Sequence, residues 1–291
     1  MRNITMPGNA ILLLEGGSLR GLYTAGVLDT FMENDIYFPA VAGVSAGTLN
    51  AMNYVAHQPG RAASINLRYR HDGRYFGPKA ALRGGSLFGL NFMLHDVKKE
   101  VPFDEEAFAN GGMRLIAVAT NVKTGKPAYF EKGKTDFDFN EAARASASLP
   151  LASVPVMLDG QPYLDGGCSC PIALNWALQQ GFEKIVVVAT RQKGFRKTQP
   201  GQRMVDLYDD FYGDQPLFLA DLLTQELRYN ALMDQLEELE EAGRICCLRP
   251  HDPIDIGRFE GDTGKLLDLY NRGHRESREA LDTLQAYLEK A

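Results

Sequence analysis

The chain has 291 residues, of which 45% are hydrophobic, and a formal net charge of −6. That size and composition suit one large α/β domain with a substantial core, or two small ones, and exclude a disordered chain. The acidic balance and scattered basic residues argue against a nucleic-acid binder and give no electrostatic help at an anionic membrane.

Residues 1–9 carry one Arg and one Pro, and the apolar run behind them is too short for a signal-peptide core or a membrane span. Residues 10–14 form a continuous apolar run, the pattern of a strand covered on both faces. Residues 20–34 read as a helix whose small residues Gly21, Ala25 and Gly26 allow close packing on a sheet. Residues 39–44 read as a second short strand and 46–56 as a helix. Residues 58–104 mix Arg68, Arg70, Arg74 and Arg83 with Tyr69, Tyr75, Phe76, Phe88 and Phe92. This segment is expected to form an irregular cap beside the sheet. Within it the apolar stretch 87–94 reads first as cap packing and second as an acyl-chain wall.

Residues 113–120 predict a third strand, with 127–130 pairing after the Thr124-Gly125 turn. A helix over 139–147 stops before Leu149-Pro150, because a residue preceding proline avoids the α region. Residues 155–158 and 163–164 flank an Asp159-Gly160 turn. Residues 172–180 are helical and end at Gly181. Residues 184–190 are the cleanest buried strand. Residues 217–242 predict a long helix, with Leu222, Leu223, Leu227, Leu232, Leu236 and Leu239 as a core-facing stripe. Residues 244–248 are a last strand and 263–288 a last helix. Strands alternating with helices imply a mostly parallel sheet with helices on both faces. No linker divides the chain, so 1–291 reads as a single domain. Its motif-bearing core covers about 9–190, and a helical and strand extension covers about 200–291.

The four cysteines, Cys168, Cys170, Cys246 and Cys247, lack the two-residue gap of a zinc pair. Cys246 and Cys247, in the apolar run 245–248, read as buried free thiols, and the set fits a reduced, cytoplasmic protein, with transient membrane-surface contact as the peripheral alternative.

Two glycine-framed turns carry the chemistry. Gly43-Val44-Ser45-Ala46-Gly47 fits G-x-S-x-G, the turn that lifts a nucleophilic serine from a strand onto a helix start. Backbone N–H groups are unpaired there, and the helix dipole favours negative charge. Gly16-Gly17-Ser18-Leu19-Arg20-Gly21 follows the first strand and offers closely spaced N–H groups. It matches neither G-x-G-x-x-G nor a P-loop, and an oxyanion site is the better fit beside Ser45. A serine needs a base. The order Ser45, Asp165, His251 matches that of α/β-hydrolases, although only one strand precedes Ser45, where that fold normally has several. The other candidate is Asp165 alone, delivered by a short apolar strand into the Gly166-Gly167 turn. It would serve if burial raised a pKa that is ordinarily about 3.9.

Taken together, the turn 15–21, the Ser45 turn and Asp165-Gly166-Gly167 resemble the patatin-like phospholipase family in order and placement. So do Arg144-Ala145-Ser146-Ala147-Ser148-Leu149-Pro150 and Pro171. The resemblance covers roughly 11–190. Beyond it, and at Gln58-Pro59-Gly60-Arg61 and Thr120-Asn121, the chain is similar to a bacterial subgroup with an extra C-terminal region. The resemblance implies a three-layer α/β/α sandwich and a Ser–Asp dyad without histidine. It implies hydrolysis of lipid acyl esters, of phospholipase A, lysophospholipase or carboxylesterase type, without calcium, other metal or cofactor. On this chain Ser45 falls on the nucleophile and Asp165 on the base. Gly16, Gly17 and Ser18 fall on the oxyanion donors, Arg20 and Gly21 on the support of that turn, and Gly43 and Gly47 on the nucleophile turn. Ser18 departs from the family's third glycine, and backbone donation there is expected only if residue 18 does not need positive φ. An inactive lipid- or partner-binding module on the same fold, and a Ser-Asp-His α/β-hydrolase, are the competing readings.

Overall fold

A computed structural model describes residues 6–290, so the first five residues of the leading segment considered above lie outside the described residues. Strand β1 (Ala10–Leu14) is apolar at every position because both its faces are covered. Ala10, Leu12 and Leu14 enter one core, and Ile11 and Leu13 enter the other. Around it the sheet runs β5 (Val156–Leu158), β6 (Gln161–Asp165), β3 (Arg114–Asn121), β2 (Ala40–Val44), β1, β7 (Lys184–Val188) and β8 (Ile245–Leu248). Strand β4 (Pro127–Glu131) pairs with β3 off this path. The pairs β3–β2, β2–β1, β1–β7 and β7–β8 are parallel; the pairs of β3 with β4 and β6, and of β5 with β6, are antiparallel.

Helices cover both faces and give three layers. On one face, buried side chains of α1 (Gly21–Glu33) and α2 (Ala46–Val55) share a core with those of the later helices α11 (Thr263–Glu279) and α12 (Leu281–Glu289). On the other, Leu174 and Ala177 of α8 (Leu174–Gln179) meet Tyr229, Leu232, Met233 and Leu236 of α10 (Pro216–Glu241). Helix α10 starts with Pro216 in its first turn and gives way to Gly243 at φ 67°.

Strand β3 is the organising element. Its residues 116–120 pair with β4 along one edge. The opposite edge is shared: Arg114 to Val118 pair with β2, and Ala119 to Asn121 pair with β6. Because β2 runs parallel to β3 and β6 runs antiparallel, their C-terminal ends meet, Val44 beside Val118 and Asp165 beside Ala119.

The expected cap is made of short helices, α3 (Arg61–Arg68), α4 (Pro78–Gly84) and α5 (Leu90–Leu94), over a separate cluster of Ile65, Tyr69, Tyr75, Phe92 and Val97. Its arginines tie it together and to its surroundings, and Arg70 donates out of the cap to Phe259 O at 2.7 Å. The Arg74 guanidinium lies 4.5 Å from the centre of the Phe92 ring, and Arg61 donates to Asn53 Oδ1 at 2.8 Å and to Pro102 O at 2.9 Å. Helix α6 (Glu105–Asn110) follows, capped by Asp104, and α7 (Phe139–Ser146) is capped by Asp138.

Four expectations are corrected. Gly26 packs on α11 rather than on the sheet: a Cβ there would come within 2.2 Å of Tyr270 O, and one on Gly273 within 2.2 Å of Tyr23 O. These two glycines let the helix backbones cross in contact. The last helix is two, divided at Ala280, where no glycine or proline marks the break. Leu227 leaves the leucine stripe and is 57% exposed, while Phe218 and Tyr229 take inward positions. Helix α9 (Gln202–Tyr212) has no counterpart in the sequence reading; its Met204, Leu207 and Phe211 face outward, and Tyr208 and Tyr212 are buried.

Candidate active site

The meeting of β2 and β6 brings Ser45 and Asp165 together. Ser45 Oγ donates to Asp165 Oδ2 at 2.6 Å, and both residues are buried. Ser45 itself has φ 55° and ψ −124°, a left-handed conformation unusual for a non-glycine residue and typical of a strained elbow. The elbow requires its glycines. A Cβ on Gly43 would lie 2.5 Å from Thr48 N, and one on Gly47 would lie 2.5 Å from Leu14 O. The turn therefore folds back on itself and presses on the end of β1.

Hydroxyl groups that the sequence reading gave no role hold both partners. The Ser45 N–H donates to Ser146 Oγ at 2.9 Å, and Ser146 Oγ shares a 2.9 Å hydrogen bond with Thr48 Oγ1. Thr120 Oγ1 donates to Asp165 O at 2.9 Å. Ser146 and Thr120 fall in stretches that carry the family resemblance, which is the one signal in the sequence that singles them out.

Asp165 is tuned by its surroundings. Burial pushes its carboxyl up to about 6, against smaller downward effects of the Ser45 hydroxyl, the Gly167 N–H and the charges of Arg258 and Lys197. The Gly167 N–H donates to Oδ1 at 2.8 Å, which leaves Oδ2 directed at Ser45.

The turn after β1 closes over the same point. A Cβ on Gly16 would lie 3.0 Å from Ser45 Cβ, so the two turns touch. Among the described residues the N–H groups of Gly16, Gly17 and Ser18 donate to no protein acceptor. Ser18 has φ 48°, so residue 18 does adopt the glycine-favoured conformation, contrary to the condition set from the sequence. The serine is held there with the turn intact. Asn50 Nδ2 donates to Gly21 O at 2.7 Å and fixes the start of α1. Glu15 anchors the other end: its carboxylate accepts from Thr190 N at 2.5 Å, Thr190 Oγ1 at 3.0 Å and Tyr229 OH at 3.0 Å. Arg20 lines the space above the turn, its pKa lowered to about 10 by burial and then by the nearby charge of Arg191.

Two spaces adjoin Ser45. A cleft of about 530 Å³ contains Ser45, Asp165 and the turn 15–18 and is largely polar, with Arg20, Arg191, Lys197 and Arg258 on its walls. On the cap side a small apolar cavity is lined by Leu49, Phe88, Leu90, Met93 and Leu149 beside Ser45. A second apolar cavity, which shares Leu49 and Met93 with it, continues toward Met52, Ile65 and Leu94. The stretch 87–94 packs as expected, with Leu90, Phe92 and Leu94 buried, and Phe88, Leu90, Met93 and Leu94 also face the cavities.

Among the described residues no histidine bonds to Ser45 or Asp165. His251 is 63% exposed and approaches Glu276 at 4.0 Å. His274 bonds to Thr30 Oγ1 at 3.0 Å and Tyr270 OH at 2.9 Å, and His57 stacks on Tyr37. The four cysteines are free thiols, but Cys246 and Cys247 are half-buried rather than buried as expected, since β8 lies at the edge of the sheet. No helix of the described residues is long and apolar enough to cross a membrane.

Comparison with known proteins gives two family matches. The family described as patatin-like phospholipase matches residues 12–176, more than half of the chain, and a domain of unknown function, DUF6363, matches residues 215–289. The uncharacterized protein YjjU of Escherichia coli is 33% identical over 189 residues, covering 63% of this chain and 52% of that protein. Lysophospholipase nte1 of Aspergillus terreus is 23% identical over 295 residues, covering 94% of this chain and 18% of the relative. The chain thus spans about half the length of the first of these relatives and a small part of the second. Among solved structures, VipD from Legionella pneumophila aligns with a TM-score of 0.44 at 11% identity, over 94% of this chain and 66% of that one.

Proposed function

Since the chain belongs to the patatin-like phospholipase family, we propose that it hydrolyses lipid carboxylic esters, with Ser45 as nucleophile and Asp165 as general base. The observation that carries this reading is the 2.6 Å hydrogen bond from Ser45 Oγ to a buried carboxylate whose pKa is raised to about 6. A carboxylate with an ordinary pKa is a weak base at neutral pH; one near 6 is ionised there yet accepts a proton more readily.

In this reading Ser45 Oγ attacks the acyl carbonyl carbon while its proton passes to Asp165 Oδ2. The carbonyl oxygen becomes an oxyanion and accepts from the N–H groups of Gly16, Gly17 and Ser18. Collapse breaks the ester C–O bond, and Asp165 returns the proton to the leaving alcohol oxygen. The acyl group now sits on Ser45. Water then attacks that ester, gives its proton to Asp165, and the second tetrahedral species expels Ser45 Oγ, which takes the proton back. The apolar cavities under Phe88, Leu90 and Met93 suit the acyl chain, and the polar cleft suits the alcohol portion.

The test is a panel of acyl esters of rising chain length, assayed with the wild type and Ser45→Ala. Turnover that increases with chain length and vanishes in Ser45→Ala is expected. Esters cleaved equally well by Ser45→Ala would overturn the assignment.

A further inference from the structure

We propose that Tyr229 is a positioning residue for the oxyanion turn: through Glu15 and Thr190 it fixes where the N–H groups of residues 16–18 point. This rests on the ester-hydrolase reading above and deepens it. Tyr229 lies outside residues 12–176, which match the patatin-like family, and inside residues 215–289, which match the domain of unknown function.

A glycine turn has no side chains to hold it. Strand β1 is tied to β7 as far as Glu15, whose N–H donates to Val188 O at 3.0 Å. Past that point the N–H groups of Gly16, Gly17 and Ser18 donate to no protein acceptor among the described residues. Free N–H groups serve an oxyanion only if something else fixes their direction. Packing does this from two sides. In front, Gly16 touches the Ser45 turn, where a Cβ on it would lie 3.0 Å from Ser45 Cβ. Behind, Gly17 touches Thr190, where a Cβ on it would lie 2.8 Å from Thr190 Oγ1 and 3.2 Å from Thr190 Cβ and Cγ2. The Thr190 hydroxyl also lies 3.5 Å from Gly16 O.

Thr190 is therefore the backstop of the turn, and Glu15 decides where Thr190 sits. Oε2 of Glu15 accepts from Thr190 N at 2.5 Å and from Thr190 Oγ1 at 3.0 Å. Among the described residues Oε1 accepts from Tyr229 OH alone, at 3.0 Å. Glu15, Thr190 and Tyr229 are all buried. A buried carboxylate keeps its orientation through its donors, and one left short of a donor turns to another. Arg20 and Lys197 are near enough for Glu15 to favour their charged forms, yet neither donates to it among the described residues. Without the Tyr229 hydroxyl, Oε1 is free to swing toward those cations, and the pull falls on the residue next to Gly16.

Tyr229 is itself held firmly. It sits in α10 within the core cluster of Leu232, Met233 and Leu236, its ring meets Phe195 edge-on at 6.3 Å, and Lys197 Nζ lies 4.0 Å from the ring centre. That packing needs only a phenyl ring; the hydroxyl is spent on Glu15.

The experiment uses the full chain and a soluble short-chain acyl ester. It measures kcat and KM for the wild type, Tyr229→Phe, Glu15→Ala, the double variant and Glu15→Gln. Each kcat is normalised to the fraction of Ser45 that a fluorophosphonate labels at completion, so misfolded protein does not count. Tyr229→Phe should lower kcat about tenfold, less than the roughly 10²–10³-fold of deleting an oxyanion donor, with KM unchanged. A trifluoromethyl ketone, whose adduct on Ser45 places an oxyanion in the turn, should bind more weakly by the same factor. The acid limb of kcat/KM should not move, because Asp165 is untouched. Adding Tyr229→Phe to Glu15→Ala should cost nothing more, since the hydroxyl acts only through Glu15. Glu15→Gln should recover most of the Glu15→Ala loss, because its carbonyl accepts from Thr190 while its amide N–H donates to Tyr229 OH.

A Tyr229→Phe variant whose normalised kcat and ketone affinity match the wild type overturns the inference and leaves the hydrolase reading intact. So does a loss confined to KM, or one that multiplies with the Glu15→Ala loss in the double variant. If Glu15→Ala does not fold, kcat and ketone affinity of Tyr229→Phe decide between the same two outcomes. A wild type without Ser45-dependent turnover means that the hydrolase reading itself fails and takes this inference with it.

Discussion

The Ser45 elbow and the wall facing it, formed by residues 191–197 and 256–258, are built in different ways. The elbow is local. Five consecutive residues at the end of one strand fix the backbone, and every close approach is to a neighbouring turn or strand end. The wall is assembled from distant segments held by the C-terminal helices: Tyr229 of α10 reaches Glu15, and Ile256 enters the same core as α11. The difference suggests a division of labour. Reacting atoms need sub-ångström placement, which short strand-end turns supply. Groups that recognise a substrate's periphery tolerate looser placement and can be contributed by loops.

The largest expected effect lies in the elbow. Asp165→Asn keeps size and turn but cannot take the serine proton. Turnover should fall at least about 10²-fold, in kcat more than in KM. Burial raises the Asp165 carboxyl from 3.8 to about 6, so the native protein binds this proton more tightly than the unfolded chain. The resulting stabilisation is complete below the unfolded pKa and lost as pH rises through about 6. Near pH 7–8 the buried charge is therefore a cost, of up to about 3 kcal/mol at 1.4 kcal/mol per unit. Asp165→Asn should melt higher than the wild type at pH 8 and gain less at pH 5. An inactive variant that is also less stable at pH 8 would mean that Asp165 is structural first.

How much could be read from the sequence follows the same division. Strands β1, β2, β3 and β7 are continuous apolar runs because both faces are covered, and periodicity finds such runs directly. Ser45, Asp165 and the turn 16–18 sit in glycine frames that announce themselves. What the sequence could not show was the shared edge of β3, which brings Val44 and Asp165 end to end; register is a tertiary property. Nor could it show that Ser146 accepts the Ser45 N–H, since a helical serine looks the same wherever it points. Lys197 and Arg258 are ordinary charged loop residues in sequence, and only the fold puts them into one cleft. Ala280 escaped because no breaker marks it, whereas α9 lies between Gly201 and Gly213 with Val205, Tyr208 and Tyr212 at helical spacing, a signal the sequence reading passed over.

The C-terminal side is best tested at the helix crossing. Gly→Ala in an exposed helix usually stabilises by about 1 kcal/mol. At Gly273 the new methyl would meet Tyr23 O at 2.2 Å, a backbone atom that cannot step aside alone. Gly273→Ala should instead lose about 1–3 kcal/mol, the range for an overpacked contact. If the chain unfolds as one unit, as the reading of 1–291 as a single domain expects, the whole thermal transition should move down together. A separate low-temperature transition for α11 and α12 would show that the two regions fold independently.

A milder effect is expected from pH. With Asp165 as the base, kcat/KM should fall about tenfold per unit below pH 6, because the protonated carboxyl cannot accept from Ser45. The cleft cations would oppose this trend, since their charges favour the ionised carboxylate. Arg258→Gln should therefore shift the acid limb slightly upward in pH. A downward shift, or an acid limb near the ordinary carboxylate range, would break the electrostatic link between wall and elbow.

The smallest effect belongs to Ser18. Its φ of 48° costs a non-glycine residue about 1–2 kcal/mol, which Ser18→Gly would relieve. Glycine also frees the unfolded chain, a loss of about 0.4–1 kcal/mol. The two nearly cancel, so stability should change by less than about 1 kcal/mol, in the direction of a gain. Activity should be unchanged, because the reading assigns this residue's contribution to its backbone N–H, and the Ser18 hydroxyl makes no hydrogen bond among the described residues. Ser18→Ala separates the two roles. It keeps the strain and removes the hydroxyl, so it should match the wild type in turnover and show none of the glycine variant's gain. If Ser18→Ala lost activity while Ser18→Gly lost it equally, the hydroxyl itself would touch the substrate, and the turn after β1 would be reading substrate as well as holding the oxyanion.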